Sequence, residues 1–226
     1  MQNPPRTKQT GNQQTLIIAI IGIAVVVAVI FIVISLGGTQ AKFGEAYFTD
    51  VPVEEFEGGY VMGNPDAPIT IVEFADYLCP HCQEYKPTVD RFFTDYVVTG
   101  KARWEFRILP TAGGDTTRYA GDLAYCAAAE GKHWGYITEM MYELAQTGQL
   151  NRNPASNIAD KTGVSVDKLL RCAQNATFVR DDVRLANSVG ASSTPTVMYR
   201  FNGGSLQPVG DRSYDALTTL VDSLSQ

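Results

Sequence analysis

The sequence predicts an α/β protein that contains an inserted all-helical subdomain and is preceded by one transmembrane helix. Three observations lead to this prediction. An uncharged stretch at residues 16–36 is long enough to cross a membrane. A buried strand at residues 69–75 runs directly into a helix, and a second strand follows at residues 102–109. Between this unit and a late strand at residues 196–201, the apolar periodicity is helical throughout.

The composition narrows the class of protein. Of the 226 residues, 45% are hydrophobic and 19% are charged, which is enough for a packed core and unlike a disordered chain. The net charge of −6, without a basic cluster, argues against nucleic-acid binding. Four cysteines are too few for a small domain stapled by disulfides. They fall instead as one close pair and one distant pair.

The N-terminal region predicts a membrane anchor. Residues 1–15 are polar, with Arg6 and Lys8 as their only charges, and residues 16–36 contain no charge. By the positive-inside rule, residues 1–15 are cytoplasmic and the chain after the anchor lies outside the cytoplasm. A cleaved signal peptide is the alternative, although its apolar region is usually only about 7–15 residues long. Residues 39–41 could form a poor cleavage site, so this alternative stays open.

A tether is predicted at residues 37–60, passing into a short edge element, because this stretch contains two Gly-Gly pairs and scattered acids. Dense turn chemistry at residues 63–68 precedes the first buried strand. The first α/β part of the folded domain is therefore predicted at residues 61–115. Its strand at 69–75 is almost continuously apolar, as expected of a central strand covered on both faces.

Two cysteines follow this strand in the motif Cys79-Pro80-His81-Cys82. Pro80 falls just inside the predicted helix start, where its missing N–H costs nothing. A thiol at a helix N-terminus faces unpaired N–H groups and the positive end of the dipole, which stabilise thiolate over thiol. The two-residue spacer puts both sulfurs on one helical turn. The pair can therefore cycle between dithiol and disulfide.

The helix after the motif carries one aromatic and aliphatic face, formed by Tyr85, Val89, Phe92, Phe93 and Tyr96. Pro87 lies inside this helix and is predicted to kink it. The strand–helix–strand unit implies parallel strands joined by a right-handed crossover.

The rest of the chain separates into a helical insert and a closing α/β part. The insert is predicted at residues 116–190, with helices at 123–130, 133–146, 157–162, 166–174 and 178–189. The second α/β part is predicted at residues 191–226. It contains strands at 196–201 and 206–209, a turn at 202–204 and a final helix with Ser213 as its N-cap.

Taken together, several positions resemble the DsbA-like thiol oxidases of the thioredoxin superfamily, in their membrane-anchored bacterial branch. The motif at residues 79–82 matches the oxidase active site residue for residue. Residues 193–196, Ser-Thr-Pro-Thr, precede the late strand where that fold keeps a cis-proline. Glu73, six residues before Cys79, occupies the place of the buried acid of the fold. The helical insert and Pro87 also match. The resemblance covers about residues 63–224 and implies a thioredoxin fold.

The resemblance and the local chemistry assign roles within the motif. Cys79 is expected to be the attacking and leaving sulfur, and Cys82 to resolve the mixed disulfide. His81 is either a surface histidine or, as we expect, an imidazole that stabilises the Cys79 thiolate. Burying an acid costs free energy, so a buried Glu73 suggests a function, and it is expected to relay protons for Cys82. A position on the wrong face of the strand is the alternative for Glu73.

The sequence also allows predictions for the Thr194–Pro195 peptide bond and for the two distant cysteines. Only about 5–6% of X–Pro bonds are cis, so sequence alone predicts a trans bond before Pro195. The resemblance implies a cis bond, which would present the Thr194 backbone to an extended substrate segment. Cys126 and Cys172 could be buried free thiols. In an exported chain, however, a structural disulfide is expected if their Cα atoms lie close together.

These residues predict a bacterial, single-pass membrane protein whose thiol:disulfide oxidoreductase domain lies outside the cytoplasm. It would introduce disulfides into unfolded or reduced exported proteins, with no cofactor and no metal. The resemblance implies reoxidation by a quinone-linked membrane partner of the DsbB or vitamin-K-epoxide-reductase kind. One alternative is a reductase or isomerase of the same fold. The other is a tethered metal- or substrate-binding module, although a structural zinc needs four ligands and only His81 lies near the cysteines.

Overall fold

A computed structural model describes residues 51–225 of the chain. Its strands are β1 (Val53–Phe56), β2 (Gly59–Gly63), β3 (Ile69–Ala75), β4 (Arg103–Ile108), β5 (Thr196–Phe201) and β6 (Gln207–Pro208). Its α-helices are α1 (Pro80–Phe92), α2 (Gly114–Ala129), α3 (Trp134–Gln146), α4 (Pro154–Thr162), α5 (Val166–Ala173), α6 (Phe178–Ser188) and α7 (Tyr214–Leu224). A π-helical turn, Phe93–Val97, continues α1.

The strands form one mixed sheet in the order β1-β2-β4-β3-β5-β6. The central pair, β3 and β4, is parallel and is joined through α1, whereas the other neighbouring pairs are antiparallel. All seven residues of β3 are buried, as its continuous apolar pattern predicts. Because β3 and β5 are antiparallel, with Phe74 opposite Thr196, the end of β3 and the start of β5 meet at one edge of the sheet.

The core has two parts, one on each face of the sheet. The larger cluster includes Ile69, Ile71 and Ala75 of β3 and most of the buried apolar residues of α1, α7 and the inserted helices. The smaller cluster contains Val72 and Phe74, which alternate along β3 with the first set and therefore face the other way. The predicted apolar face of α1 and the turn after it is buried. Its members are Tyr85, Val89, Phe92, Phe93 and Tyr96.

The insert is organised around α2, which contacts α3, α4, α5 and α6 as well as β4. Gly121 allows this close packing. A Cβ atom at Gly121 would lie 2.7 Å from the Val179 side chain and 2.9 Å from the Ile108 side chain. These separations are shorter than packed side chains tolerate, so a larger residue would push α2 away from β4 and α6.

A buried ionic network fastens the insert to the sheet. Arg107 of β4, only 1% exposed, pairs with Glu105 at 2.6 Å and with Asp182 of α6 at 3.0 Å. Asp182 also accepts hydrogen bonds from the Tyr125 hydroxyl (2.7 Å) and the Ile108 N–H (2.9 Å). Burial raises the pKa of Asp182 to about 6, although Arg107 works to lower it. Buried charges are tolerated here because each one is paired and hydrogen-bonded.

The sheet begins earlier than the sequence predicts. Residues 53–60, the last part of the predicted tether, form β1 and the start of β2. Glu57 (φ 49°) and Gly58 (φ 75°) close a two-residue hairpin turn between them, which is a conformation that favours glycine. Glu54 of β1 pairs with Arg103 of β4, so an acidic segment that resembles a linker is held in the sheet.

The first inserted helix also starts earlier than predicted, at Gly114 instead of residue 123. The first four residues of this helix, Gly-Asp-Thr-Thr, have small or polar side chains and lack the apolar periodicity that predicts a helix. The helix nevertheless continues through them, since Thr117 is buried against the turn that follows β3. At the predicted kink, α1 continues past Pro87 to Phe92.

The predicted cytoplasmic tail and transmembrane segment, residues 1–36, lie outside the described residues, as does the tether up to residue 50. Among the helices between residues 51 and 225, none is both long and apolar enough to cross a membrane.

Candidate active site

The turn between β3 and α1 places both cysteines of the motif on the first turn of the helix. Cys79 is the N-cap residue in extended conformation (φ −76°, ψ 121°), and Pro80 is the first helical residue. The Cys79 carbonyl accepts hydrogen bonds from the N–H groups of Cys82 and Gln83, both at 3.1 Å. The side chain of Gln83 donates back to the Tyr77 carbonyl (2.9 Å), which holds the turn against the helix.

The two thiols are free but differ in access. Cys79 is 6% exposed, while Cys82 is completely buried. The Cys79 thiol donates to the carbonyl oxygen of Thr194 at 3.6 Å, and the backbone N–H of Asp76 donates to the Cys82 sulfur at 3.5 Å. A partner that attacks this pair from solvent therefore reaches the Cys79 sulfur first.

The surroundings shift the pKa values of the two thiols in opposite directions. Burial works to raise the pKa of Cys79. Hydrogen bonds to the sulfur outweigh this effect of burial, so the pKa of Cys79 is lowered. They come from Thr194, from the backbone N–H groups of Cys82 and His81, and from the Cys82 thiol. Burial also dominates at Cys82, where the charge of Glu73 adds to it, and the pKa of Cys82 is strongly raised. The surroundings therefore favour the thiolate form at Cys79 and the thiol form at Cys82.

The loop before β5 supplies the other wall of the site. The Thr194–Pro195 peptide bond is cis, and Pro195 is buried while Thr194 is half-buried. The antiparallel pairing of β3 with β5 brings this loop to the turn that contains Cys79. The Thr194 backbone therefore faces the reactive sulfur, next to the open side of the motif.

Glu73 lies on β3 with its side chain buried, and its Oε1 atom has no hydrogen-bond partner among the described residues. It borders a cavity of about 20 Å³ that Lys86, Glu139 and Tyr142 help to line, which is room for about one water molecule. Burial raises the pKa of Glu73 to about 8, against the opposing effect of Lys86. The carboxyl group is therefore mostly protonated at neutral pH.

Lys86 holds two further carboxylates beside this cavity. Its ammonium group pairs with Asp90 one turn later in α1 and with Glu139 of α3, the latter at 2.5 Å. Burial raises the pKa of Glu139, and Lys86 works to lower it.

His81 is directed toward solvent. Its side chain is 75% exposed, and its Nδ1 atom lies 3.2 Å from Oε2 of Glu84. The contribution of His81 to the Cys79 thiolate is made by its backbone N–H. The predicted role of the imidazole remains a prediction.

The distant cysteines lie apart from this site. Cys126 of α2 and Cys172 of α5 are joined by a disulfide with an S–S distance of 1.98 Å and a Cα–Cα distance of 5.9 Å. His133 is the N-cap of α3, and its imidazole accepts from the Gly135 N–H. Trp134, the first residue of that helix, is buried in the core. Within residues 51–225, no cluster of three or more His, Cys, Asp and Glu side chains could hold a metal ion.

Sequence reasoning missed Asp76, which is fully buried at the end of β3. Its Oδ1 atom accepts hydrogen bonds from the Leu78 N–H (2.9 Å) and the Thr117 hydroxyl (2.5 Å). Its Oδ2 atom accepts from three successive N–H groups, those of residues 111 (2.9 Å), 112 (2.8 Å) and 113 (2.8 Å). These donors are distant in sequence. The only local sign was an acid between a buried strand and a reactive turn.

Comparison with known proteins agrees with this architecture. A family model described as Thioredoxin matches residues 55–223. The Na(+)/H(+) antiporter NhaA 1 of Salinispora arenicola is 30% identical over 176 residues, covering 76% of this chain but only 26% of that protein. The probable disulfide bond formation protein D of Bacillus anthracis is 28% identical over 120 residues, which is 52% of each chain. This chain thus spans between about a quarter and a half of these two relatives.

Among solved structures, MdbA, a thiol-disulfide oxidoreductase from Corynebacterium diphtheriae, superposes with a TM-score of 0.57. The match is 19% identical in sequence and covers 82% of this chain and all of that one. At this identity the match establishes the fold, and the family model covers most of the folded region. The chain therefore belongs to the thioredoxin family and has the fold of the DsbA-like thiol–disulfide oxidoreductases.

Proposed function

We propose that this protein oxidises pairs of cysteine thiols in exported proteins and so introduces disulfides into them. The observation that carries the proposal is the contrast between two sulfurs on one helical turn, with a lowered pKa at Cys79 and a raised pKa at Cys82. A thiolate that is stabilised in the reduced protein lowers the free energy of the dithiol form. The disulfide form then becomes a stronger oxidant.

The reaction proceeds as two thiol–disulfide exchanges. A substrate thiolate attacks the Cys79 sulfur of the Cys79–Cys82 disulfide, forming a mixed disulfide and releasing the Cys82 sulfur. A second substrate thiolate then attacks the substrate sulfur of the mixed disulfide and releases Cys79 as a thiolate. The substrate loses two electrons and gains a disulfide, and the protein gains two electrons as the dithiol.

Glu73 supplies the proton that the first step requires. Cys82 leaves as a thiolate in a fully buried position, where burial strongly favours its neutral form. Glu73 is mostly protonated at neutral pH, and its ionised form raises the pKa of Cys82, so the carboxyl group lies within electrostatic reach of that sulfur. The 20 Å³ cavity beside the carboxyl could hold one water molecule to complete the transfer.

Thr194 orients the substrate at the Cys79 sulfur. Its backbone precedes the first residue of β5 and faces the open side of the motif. An extended substrate segment could pair with this backbone, and such pairing is independent of the substrate side chains. This mode of binding suits an oxidase that acts on many unfolded proteins.

The compartment and the partners belong to the same proposal. The uncharged segment at residues 16–36, with Arg6 and Lys8 before it, supports a bacterial membrane anchor with residues 37–226 outside the cytoplasm. A quinone-linked membrane protein of the DsbB or vitamin-K-epoxide-reductase kind would accept the two electrons. The description of MdbA as a thiol-disulfide oxidoreductase supports the reaction class.

Two assays with the full-length protein test the proposal. The oxidised protein is expected to restore activity to reduced, unfolded ribonuclease, and the reduced protein to be a poor catalyst of insulin reduction. Fast insulin reduction without ribonuclease oxidation would favour the reductase alternative. A stoichiometric metal in the purified protein, with neither activity, would favour a binding module.

A further inference from the structure

Three segments that are far apart in sequence are joined by hydrogen bonds beside the turn that contains Cys79. They are the turn at residues 76–78, the turn at residues 111–113 and the loop that contains Thr194. The Asp76 carboxylate joins the first two, since three of its five hydrogen bonds come from the N–H groups of the second turn. Hydrogen bonds to a charged acceptor are stronger than neutral ones, so Asp76 holds this turn firmly.

The second turn reaches the third segment through a single hydroxyl contact. The Thr111 Oγ1 atom lies 2.5 Å from the Thr194 Oγ1 atom, although the two residues are 83 positions apart. Thr194 in turn contacts Cys79 through its carbonyl oxygen, 3.6 Å from the sulfur. A continuous path of hydrogen bonds therefore connects Asp76 with Cys79 through Thr111 and Thr194.

The backbone of Asp76 holds the cysteines directly. Its carbonyl accepts the Cys79 N–H at 3.0 Å, and its N–H donates to the Cys82 sulfur at 3.5 Å. One residue thus contacts both cysteines through its main chain and fixes the opposite wall of the site through its side chain. Asp76 consequently holds both the cysteine pair and, through the turn at residues 111–113, the Thr194 loop.

We propose that Asp76 and Thr111 are positioning residues for thiol exchange, which hold Thr194 in register with the Cys79 sulfur. This inference deepens the proposed function and rests on it. Thr111 is exposed and outside the core, so its hydroxyl contributes little to folding. Its effect is expected instead at the redox pair, because it sets the position of the hydroxyl and carbonyl groups that Thr194 presents there.

Two isosteric substitutions separate positioning from stability. Thr111→Val removes the hydroxyl that contacts Thr194. Thr117→Val is the matched control, since it removes a buried hydroxyl that donates to the Asp76 carboxylate and makes no hydrogen bond to the Thr194 loop within residues 51–225. Thr111→Ser keeps the hydroxyl and is the rescue variant.

The measurements are the equilibrium constant with reduced glutathione and the melting temperature of the full-length protein. Thr111→Val is expected to reduce the equilibrium constant for reduction of the Cys79–Cys82 disulfide about fivefold, the size of one net hydrogen bond. Its melting temperature should stay close to that of the wild type. Thr117→Val should lower the melting temperature but change the equilibrium constant by less than about twofold, since four hydrogen bonds to Asp76 remain. Thr111→Ser should restore the wild-type constant.

An equilibrium constant of Thr111→Val equal to that of the wild type would overturn the inference. So would a shift in both valine variants that follows their loss of melting temperature, because both hydroxyls would then be structural. Failure of the proposed function would be observed differently, because the wild-type protein would then oxidise no substrate. The glutathione equilibrium depends only on the protein's own cysteine pair, so the two failures are distinguishable.

Discussion

The two cysteine pairs of this chain lie in opposite kinds of surroundings. Cys79 and Cys82 are free thiols at a helix start, where N–H groups and a neighbouring loop act on each sulfur differently. Cys126 and Cys172 are joined across two helices of the insert, and Cys126 is completely buried. The same functional group thus occurs once in a polar, asymmetric environment and once as a closed cross-link.

This difference shows what makes a cysteine pair reactive. At the first pair, hydrogen bonds and burial separate the pKa values of the two sulfurs, so one leaves easily and the other takes up a proton. At the second pair, the disulfide closes a long loop and restricts the unfolded chain. The first pair is therefore expected to determine exchange chemistry, and the second to determine stability.

The largest expected effect is at Cys79. Cys79→Ser should abolish substrate oxidation, because Cys82 is completely buried and the other two cysteines are joined in a disulfide. The reduced Cys82→Ser variant, challenged with a disulfide-containing protein, should instead accumulate covalent adducts, because the Cys79 thiolate can attack that disulfide while the resolving thiol is missing. Adducts are measured by non-reducing electrophoresis and mass spectrometry. Equal adduct formation by both variants would show that the two roles are assigned wrongly.

The second effect concerns the closed pair. The Cys126–Cys172 disulfide has a sequence separation of 46 residues, and such a loop is worth about 4 kcal/mol in the loop-entropy description. Replacing both cysteines by Ala should lower the free energy of unfolding by up to that amount and leave thiol exchange at Cys79 nearly unchanged. Denaturant unfolding and ribonuclease oxidation measure the two quantities. A large loss of thiol exchange with little loss of stability would show that the Cys126–Cys172 disulfide acts on the reaction and not on the stability of the fold.

The third effect tests the buried acid beside the reactive pair. Burial raises the pKa of Glu73 from 4.5 to about 8, so the folded protein retains a proton that the unfolded chain loses between these values. The Glu73 side chain therefore destabilises the fold increasingly as pH rises from about 4.5 to about 8. Glu73→Gln removes this titration.

The stability of the Glu73→Gln variant relative to wild type should consequently grow over that pH range, by on the order of a few kcal/mol, and level off above it. At neutral pH the variant should also slow the release of Cys82 from the disulfide. Unfolding free energies at a series of pH values give the first result, and stopped-flow exchange gives the second. A difference in stability that does not change with pH would contradict the raised pKa.

The smallest effect is expected at His81. The sequence predicts that the imidazole stabilises the Cys79 thiolate, but the structure directs it toward Glu84. The backbone N–H that acts on Cys79 is retained in His81→Ser. The potential should therefore shift by less than about 30 mV, which corresponds to one pKa unit. Glutathione equilibration measures the shift, and a much larger change would show that the imidazole acts directly.

The redox motif could be predicted from sequence because its information is local. A continuous apolar strand, a proline at the helix start and two cysteines three positions apart all fall within 14 residues, 69–82. The burial of Glu73 followed from the same strand pattern. The turn after β5 and the Ser213 N-cap of α7 were also predictable, since each depends on neighbouring residues alone.

The contacts that complete the site could not be predicted in this way. Four of the five hydrogen bonds to the Asp76 carboxylate come from groups 35 to 41 residues away. Thr111 follows β4 and Thr194 precedes β5, and the two meet because β4 is parallel and β5 antiparallel to β3, which lies between them. The acidic residues of β1 are typical of a linker, so the sequence predicts a tether where the structure has a strand paired with β2. Such features depend on tertiary structure and leave no local pattern in the sequence.

The central claim is that the surroundings of Cys79 make its disulfide an oxidant, and the reduction potential tests it most directly. The full-length protein is equilibrated with a series of glutathione ratios, and the fraction of reduced Cys79–Cys82 is measured by thiol trapping. The account predicts a potential less negative than about −200 mV, on the oxidising side of most glutaredoxins. A value near the thioredoxin potential of about −270 mV would contradict it and favour a reductase.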